Sequence, residues 1–312
     1  NMTMRILYYN EGENPAEWLP SLKTALPEAE IRLWQPGDNA PADYALVWNP
    51  PASLFQNRTG LKAIFNLAAG VDSLLAMSHA IDINVPIFRL EDAGMAIQMA
   101  EYVTHAVLRY YRRFDEYEKQ AGNRIWEMLA PYKREDFTIG VMGMGIMGTA
   151  VAKALMPFGF PLRGWSRHIK NIPGIACYAG RQQMQAFLDN VRILVCVLPL
   201  TAETEGILCL DNFRHLGHGA YLINAGRGKH LVENDLLEAM QTGLIRAATL
   251  DVTGQEPLPP DHPFWNHAGI TITPHIAALT FCHETVRQVA DFIHTLEKGE
   301  KLTSQVNPER GY

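Results

Sequence analysis

One short segment constrains this chain more than any other: Gly143-Met144-Gly145-Ile146-Met147-Gly148. It follows the strand-like run Thr138 to Met142 and leads into a helical pattern, the setting in which a G-x-G-x-x-G loop holds a dinucleotide. Gly143 permits the tight turn, Gly145 lets the backbone approach a pyrophosphate, and Gly148 lets helix and strand pack closely. The N–H groups at the helix start, those of Ile146 and Met147 among them, are free to meet phosphate oxygens. Alone, the pattern also fits an ordinary strand–helix turn. Its surroundings strengthen it. Strand-like runs follow at Leu162 to Trp165, Ile193 to Leu198, Ala220 to Asn224, Ala247 to Asp251 and Ile270 to Thr273. Helical patterns lie between most of them, the clearest from Glu233 to Met240, and six strands in one series suit a dinucleotide-binding fold.

The stretch before the loop has the same character. Ile6-Leu7-Tyr8-Tyr9, Ile31 to Trp34, Tyr44 to Trp48, Ala63 to Leu67 and Val85 to Phe88 read as strands, with a helix from Trp18 to Leu26. Such alternation predicts a second parallel sheet with helices on both faces. Between the two series, Met99, Tyr102, Val103, Ala106, Val107, Tyr110, Tyr111 and Phe114 recur at helical spacing. That helix bridges two domains or meets a second copy, with core packing the default for its apolar positions. The fold class expected is α/β: two doubly wound parallel-sheet domains, Rossmann- and flavodoxin-like, with a cleft between them.

The residues after the second strand choose the dinucleotide. An NAD site usually carries Asp or Glu there, about 20 residues beyond the glycines, to hold the ribose hydroxyls. Here the strand ends Gly164-Trp165-Ser166-Arg167-His168, without a carboxylate. Ser166 can hydrogen-bond a 2′-phosphate and Arg167 can pair with it while stacking on adenine; the alternative is a solvated surface arginine. NADP(H) is therefore expected over NAD(H), which stays possible.

Three residues near later strand ends carry further chemistry. Arg227 lies in Asn224-Ala225-Gly226-Arg227-Gly228, Glu256 in Gln255-Glu256-Pro257-Leu258, and His275 in Thr273-Pro274-His275-Ile276-Ala277. Reduction of a 2-oxo acid needs a fixed cation for the substrate carboxylate and a proton donor for the carbonyl oxygen. Arginine and histidine supply these, and a carboxylate beside an imidazole favours its protonated form. Taken singly, Arg227 also reads as a surface ion pair, Glu256 as a loop charge and His275 as a strand cap.

Together these segments resemble the D-isomer-specific 2-hydroxyacid dehydrogenase family. The resemblance rests on the Asn224-x-x-Arg227-Gly228 turn, Leu250-Asp251-Val252, Glu256-Pro257-Leu258, His262-Pro263-Phe264-Trp265 and Pro274-His275, in order and spacing. It includes the glycine loop and Leu67-Ala68-Ala69-Gly70-Val71-Asp72, and so covers nearly the whole chain. Tyr44 to Pro51, Phe88 to Gly94, Arg134 to Gly140 and the closing Arg310-Gly311-Tyr312 look like a bacterial subgroup acting on glyoxylate and hydroxypyruvate. The resemblance implies NADPH-dependent reduction of glyoxylate to glycolate and hydroxypyruvate to D-glycerate. Arg227 would bind the substrate carboxylate and orient its carbonyl, with His275 as acid/base and Glu256 its partner. Asp251 would sit by the nicotinamide carboxamide, and Leu198 and Pro199 would line the cofactor path. The loop Ala69-Gly70-Val71 would offer N–H groups to the carboxylate, as a nest does, though a structural turn is the alternative. Trp48 either closes the pocket around a short acid or packs in the core. By analogy, residues 1–98 plus 286–312 form the substrate-binding domain and residues 99–285 the dinucleotide-binding domain. A homodimer follows from resemblance only.

Two departures stand out. Glu91-Asp92-Ala93-Gly94-Met95 replaces an Asn-Pro-Gly-like loop, and Thr253-Gly254 stands where the family often has an aromatic.

Composition removes several other classes. Lys+Arg 27 against Asp+Glu 33 gives a net charge of -6, contrary to a general nucleic-acid or anionic-membrane binder. The apolar run Ile193 to Leu198 falls well short of the ~20 residues a bilayer span needs. The chain starts without a leader pattern, and Cys177, Cys196, Cys209 and Cys282 form no Cys-x-x-Cys pair, so no metal site and a cytoplasmic location are expected. Competing readings are a dehydrogenase for another 2-hydroxy acid and a non-catalytic, cofactor-sensing binding protein on the same scaffold.

Overall fold

The computed structural model describes residues 2–312. The chain forms two compact units: residues up to Gly94 together with Thr280–Tyr312, and Met95–Leu279. The first contains β1 (Met4–Asn10), α1 (Pro15–Ala25), β2 (Ala29–Leu33), β3 (Tyr44–Trp48), β4 (Ala63–Asn66), α2 (Asp72–Ala76) and β5 (Ile87–Phe88). The second begins with α3 (Met95–Tyr111), α4 (Phe114–Gly122), β6 (Ile139–Met142), α5 (Ile146–Leu155), β7 (Leu162–Ser166) and β8 (Ala176–Ala179). It continues through α6 (Met184–Leu188), β9 (Ile193–Cys196), α7 (Leu210–Phe213), β10 (Ala220–Asn224), α8 (Glu233–Gln241), β11 (Ile245–Leu250) and β12 (Ile270–Ile272). The final helix, α9 (Cys282–Glu297), belongs to the first unit.

The first unit is built on a five-stranded sheet of order β2-β1-β3-β4-β5, parallel throughout. That is the flavodoxin-like order. Successive side chains on a strand point to opposite faces, so both faces must be apolar when both are covered. One face packs Leu7, Ala45, Val47 and Ile64 against Trp34, Leu54 and Leu74. On the other, Phe65 meets Tyr44, Phe88 and Phe292 of α9. α1 starts cleanly because the Asn14 side chain accepts the Ala16 N–H and Pro15 takes the first helical position. It packs along α9.

The second unit carries a seven-stranded parallel sheet of order β12-β11-β10-β9-β6-β7-β8. From β6 the chain winds outward through β7 and β8, then returns to β9 and winds the other way. The order reverses between β6 and β9, and open α/β sheets bind ligands at the carboxyl ends beside such a reversal. β6, β9 and β10 are fully buried. α3 covers α5 with Met99, Val103, Ala106, Val107 and Tyr110 buried.

Two local features depart from the sequence pattern. The apolar stripe of α3 ends before Phe114: Arg113 takes a left-handed conformation (φ 58) and Phe114 opens α4, 44% exposed. The Arg113 guanidinium accounts for the break, because it pairs with Glu116 and donates to the Ala130 carbonyl. β8 is a further strand, unannounced because its Ala-Cys-Tyr-Ala run is short, lies at a sheet edge and shows no alternation. Among the described residues no helix is long and apolar enough to cross a membrane.

Candidate active site

At the carboxyl end of β6 the glycine loop is shaped by absent side chains. Gly143 has φ +102, and a Cβ there would lie 2.9 Å from the Val197 carbonyl oxygen. A Cβ on Gly148 would stand 1.5 Å from the Gly143 carbonyl oxygen, so no other residue fits without moving the loop. Gly145 is different: nothing lies within 4 Å of its Cβ position, and that side of the backbone is open. Gly145 also caps α5 without a side-chain hydrogen bond, which leaves the first N–H groups of the helix, Ile146 and Met147 included, for an external acceptor. These residues fit a pyrophosphate: two steric locks and one open edge at a helix N-terminus.

β7 ends at Ser166, whose hydroxyl donates to the His168 carbonyl at 2.7 Å. That bond fixes the turn and leaves the Ser166 oxygen as an acceptor only. Arg167, His168 and Lys170 are exposed beyond it, with no carboxylate in the turn. Leu198 is buried and Pro199 half-buried just after β9.

Arg227 follows β10 in a turn tied down from three sides. Asn224 donates through Nδ2 to the Arg227 carbonyl at 3.0 Å and accepts from the Gly226 N–H at 3.2 Å. The Arg227 N–H donates to His230 Nδ1 at 2.9 Å. His230 is fully buried; with Nδ1 accepting, its ring proton sits on Nε2, which donates to the Pro199 carbonyl at 3.1 Å. One neutral imidazole thus joins the Arg227 turn to the loop after β9. Gly228 lets this turn lie against Thr253, because a Cβ there would be 1.9 Å from the Thr253 carbonyl oxygen.

His275 and Glu256 meet directly: Nδ1 of His275 donates to Oε1 of Glu256 at 2.7 Å. That leaves Nε2 as the ring nitrogen open to a substrate. His275 has φ 56, a conformation an L-residue holds only when its surroundings enforce it. Asp251 does much of the enforcing. It lies at the end of β11, is 2% exposed, and accepts from the Thr273 hydroxyl at 2.7 Å, the Ile276 N–H at 2.8 Å and the Ala277 N–H at 2.9 Å. Its backbone carbonyl accepts the His275 N–H at 2.9 Å. Both carboxylate oxygens are therefore engaged with the turn that carries His275.

In the first unit, Trp48 is half-buried at the end of β3, and Ala69-Gly70-Val71 follow β4. Asn66 shapes this loop by donating from Nδ2 to the carbonyls of Ala68 at 2.9 Å and Gly70 at 2.8 Å. In a trans peptide the N–H points opposite to the carbonyl, so the N–H groups of Ala69 and Val71 turn away from Asn66. Sequence reasoning missed Asn66 and His230. A strand-final Asn before a glycine loop, and a His three residues after the turn arginine, are the signals that would have found them.

Residues 104–277 match the family described as D-isomer specific 2-hydroxyacid dehydrogenase, NAD binding domain. The chain is similar to a glyoxylate/hydroxypyruvate reductase A from Serratia proteamaculans, 50% identical over 313 residues, spanning 99% of this chain and 100% of that protein. Among solved structures it is similar to a D-isomer specific 2-hydroxyacid dehydrogenase from Xanthobacter autotrophicus in complex with NADPH and MES, with TM-score 0.93, 35% identity and full coverage of both chains (100%). It is also similar to an NADPH-dependent glyoxylate/hydroxypyruvate reductase from Sinorhizobium meliloti in complex with NADP and sulfate, with TM-score 0.93, 33% identity, and 99% and 100% coverage.

Proposed function

Because this chain belongs to the D-isomer-specific 2-hydroxyacid dehydrogenase family, we propose that it reduces small 2-oxo acids with NADPH: glyoxylate to glycolate, and hydroxypyruvate to D-glycerate. The observation that carries this reading is the His275–Glu256 pair at 2.7 Å, in the same unit as the glycine loop. When bound, the reduced nicotinamide supplies a hydride to the carbonyl carbon. The protein supplies the rest. His275 gives the Nε2 proton to the carbonyl oxygen as it becomes a hydroxyl, while Glu256 holds Nδ1 and stabilises the imidazolium before transfer. Arg227 binds the substrate carboxylate and orients the carbonyl. For the first unit taken by itself, the proposed substrate-binding residues are Ala69, Gly70 and Val71, through their N–H groups, and Trp48 as a limit on substrate size.

For the cofactor, Gly143, Gly145, Gly148 and the N–H groups of Ile146 and Met147 take the pyrophosphate. The Ser166 hydroxyl, on turning from the His168 carbonyl, donates to the 2′-phosphate and Arg167 pairs with it, and Leu198 and Pro199 flank the nicotinamide half. The carboxylate-free turn after β7 supports NADPH over NADH, as do the NADPH and NADP complexes of the similar structures. Asp251 reads here as the residue that fixes the His275 turn, with the nicotinamide carboxamide a further partner for that segment. A homodimer and a cytoplasmic location are the corresponding proposals for assembly and place. The exposed Trp126 (101%) and Met128 (91%) support the first as apolar side chains in want of cover.

The test is a panel of 2-oxo acids assayed with NADPH and NADH in parallel. Oxidation of NADPH by glyoxylate and hydroxypyruvate, slower with NADH and with longer acids, is expected. Tight NADPH binding without turnover of any 2-oxo acid would mark a cofactor-sensing protein instead.

A further inference from the structure

The turn that carries His275 is also held from α3, a helix contributed by a distant part of the chain. Tyr102 Oη lies 2.5 Å from Thr273 Oγ1, 171 residues away in sequence. Thr273 spends its own proton on Asp251 Oδ1 at 2.7 Å, so Tyr102 must be the donor in the first bond. The relay therefore has one polarity: Tyr102 donates to Thr273 and Thr273 to Asp251, whose carboxylate also accepts the N–H groups of Ile276 and Ala277. One turn earlier on α3, Gln98 grips the other end of the segment. Its Nε2 donates to the Leu279 carbonyl at 2.9 Å and its Oε1 accepts the Leu279 N–H at 3.1 Å. Gln98 and Tyr102 are four residues apart and so share one helix face. Together they fasten residues 273 and 279, on either side of a histidine in a left-handed conformation.

We infer that Tyr102, Thr273 and Gln98 are positioning residues for proton transfer: they hold the segment 273–279 so that His275 keeps its left-handed backbone and its Nδ1 on Glu256. This rests on the reading of His275 as proton donor. None of the three touches the reacting atoms; they act through the backbone of the turn. A small misplacement of a donor costs rate steeply, while the pyrophosphate, the 2′-phosphate and the substrate carboxylate, which carry most of the binding, are held by other residues.

The experiment compares Tyr102→Phe, Thr273→Val, Thr273→Ser and His275→Ala, each as the full chain. Turnover is read with NADPH and glyoxylate, NADPH affinity by nucleotide fluorescence, and folding by Tm. Tyr102→Phe removes one oxygen, and kcat is expected to fall about tenfold. KM for glyoxylate and Kd for NADPH should stay within about twofold, because an interaction lost in the transition state alone moves kcat. Thr273→Val should lose as much or more, and Thr273→Ser, which keeps the hydroxyl, should restore most of the rate. The Tyr102→Phe/Thr273→Val pair should be no slower than Thr273→Val alone, since both break one relay. A wild-type kcat in Tyr102→Phe overturns the inference. So does a loss that Thr273→Ser shares with Thr273→Val, or one that follows Tm and NADPH affinity instead of kcat. If Thr273→Val folds poorly, Tyr102→Phe and Thr273→Ser decide the question. A loss in His275→Ala without one in Tyr102→Phe overturns the relay alone; an unchanged His275→Ala overturns the proton-donor reading and the relay with it.

Discussion

The glycine loop at residues 143–148 and the turn at residues 273–277 each leave the carboxyl end of a parallel strand, yet they are built differently. The first is fixed by the absence of side chains: two Cβ positions are blocked by backbone 1.5 and 2.9 Å away. The second is fixed by the presence of them: a buried carboxylate, a hydroxyl relay and an amide clamp converge on a strained histidine. A loop of the first kind is constrained by backbone atoms alone, its own Gly143 carbonyl and the Val197 carbonyl just after β9. A turn of the second kind borrows its constraint from elements 22 to 181 residues away. Cofactor binding should therefore fail by steric insult at single positions, and catalysis by loss of support from afar.

The largest break expected is chemical. His275→Ala should lower kcat for glyoxylate by about 10²–10⁴-fold with NADPH affinity retained, measured by steady-state kinetics and fluorescence titration. Next comes Gly148→Ala, whose methyl group has no room beside the Gly143 carbonyl. Overpacking of this kind costs about 2–3 kcal/mol, to be seen as a lower Tm together with weakened NADPH binding. Arg167→Asp should raise KM for NADPH by about tenfold or more and leave KM for NADH nearly unmoved; equal effects on the two would remove the 2′-phosphate assignment. The smallest effect sharpens the comparison. Gly145→Ala adds a methyl to open space, so Tm should shift by less than about 0.5 kcal/mol equivalent while NADPH binds more weakly. A large fall in Tm at Gly145 would mean the two glycines do the same job.

The same contrast explains how much the sequence discloses. Strand-and-helix alternation is a local property, and it pointed to two parallel sheets of the kind found. The glycine loop was legible for the same reason. Arg227, Glu256 and His275 stood out by lying near strand ends, and the resemblance singled out His275 and Glu256 as partners; the structure sets them 2.7 Å apart. What sequence could not display was support. Tyr102 sat in an apolar helical stripe and read as core, although a buried tyrosine ring still needs a partner for its hydroxyl. Its pKa is pushed up to about 12 by burial, so the hydroxyl stays a proton donor at any working pH. Gln98, Asn66 and His230 were silent because the bonds by which they tie these turns go to backbone atoms, which every residue has. β8 was silent because a short edge strand need not alternate.

The most direct test of the central claim follows the hydride. The protein is incubated with glyoxylate and NADPH carrying deuterium at the transferable C4 position, and the glycolate formed is weighed by mass spectrometry. The account predicts one deuterium on C2 of glycolate for each NADPH oxidised, at a rate that collapses in His275→Ala. Glycolate without deuterium, or the same rate in His275→Ala, would contradict it.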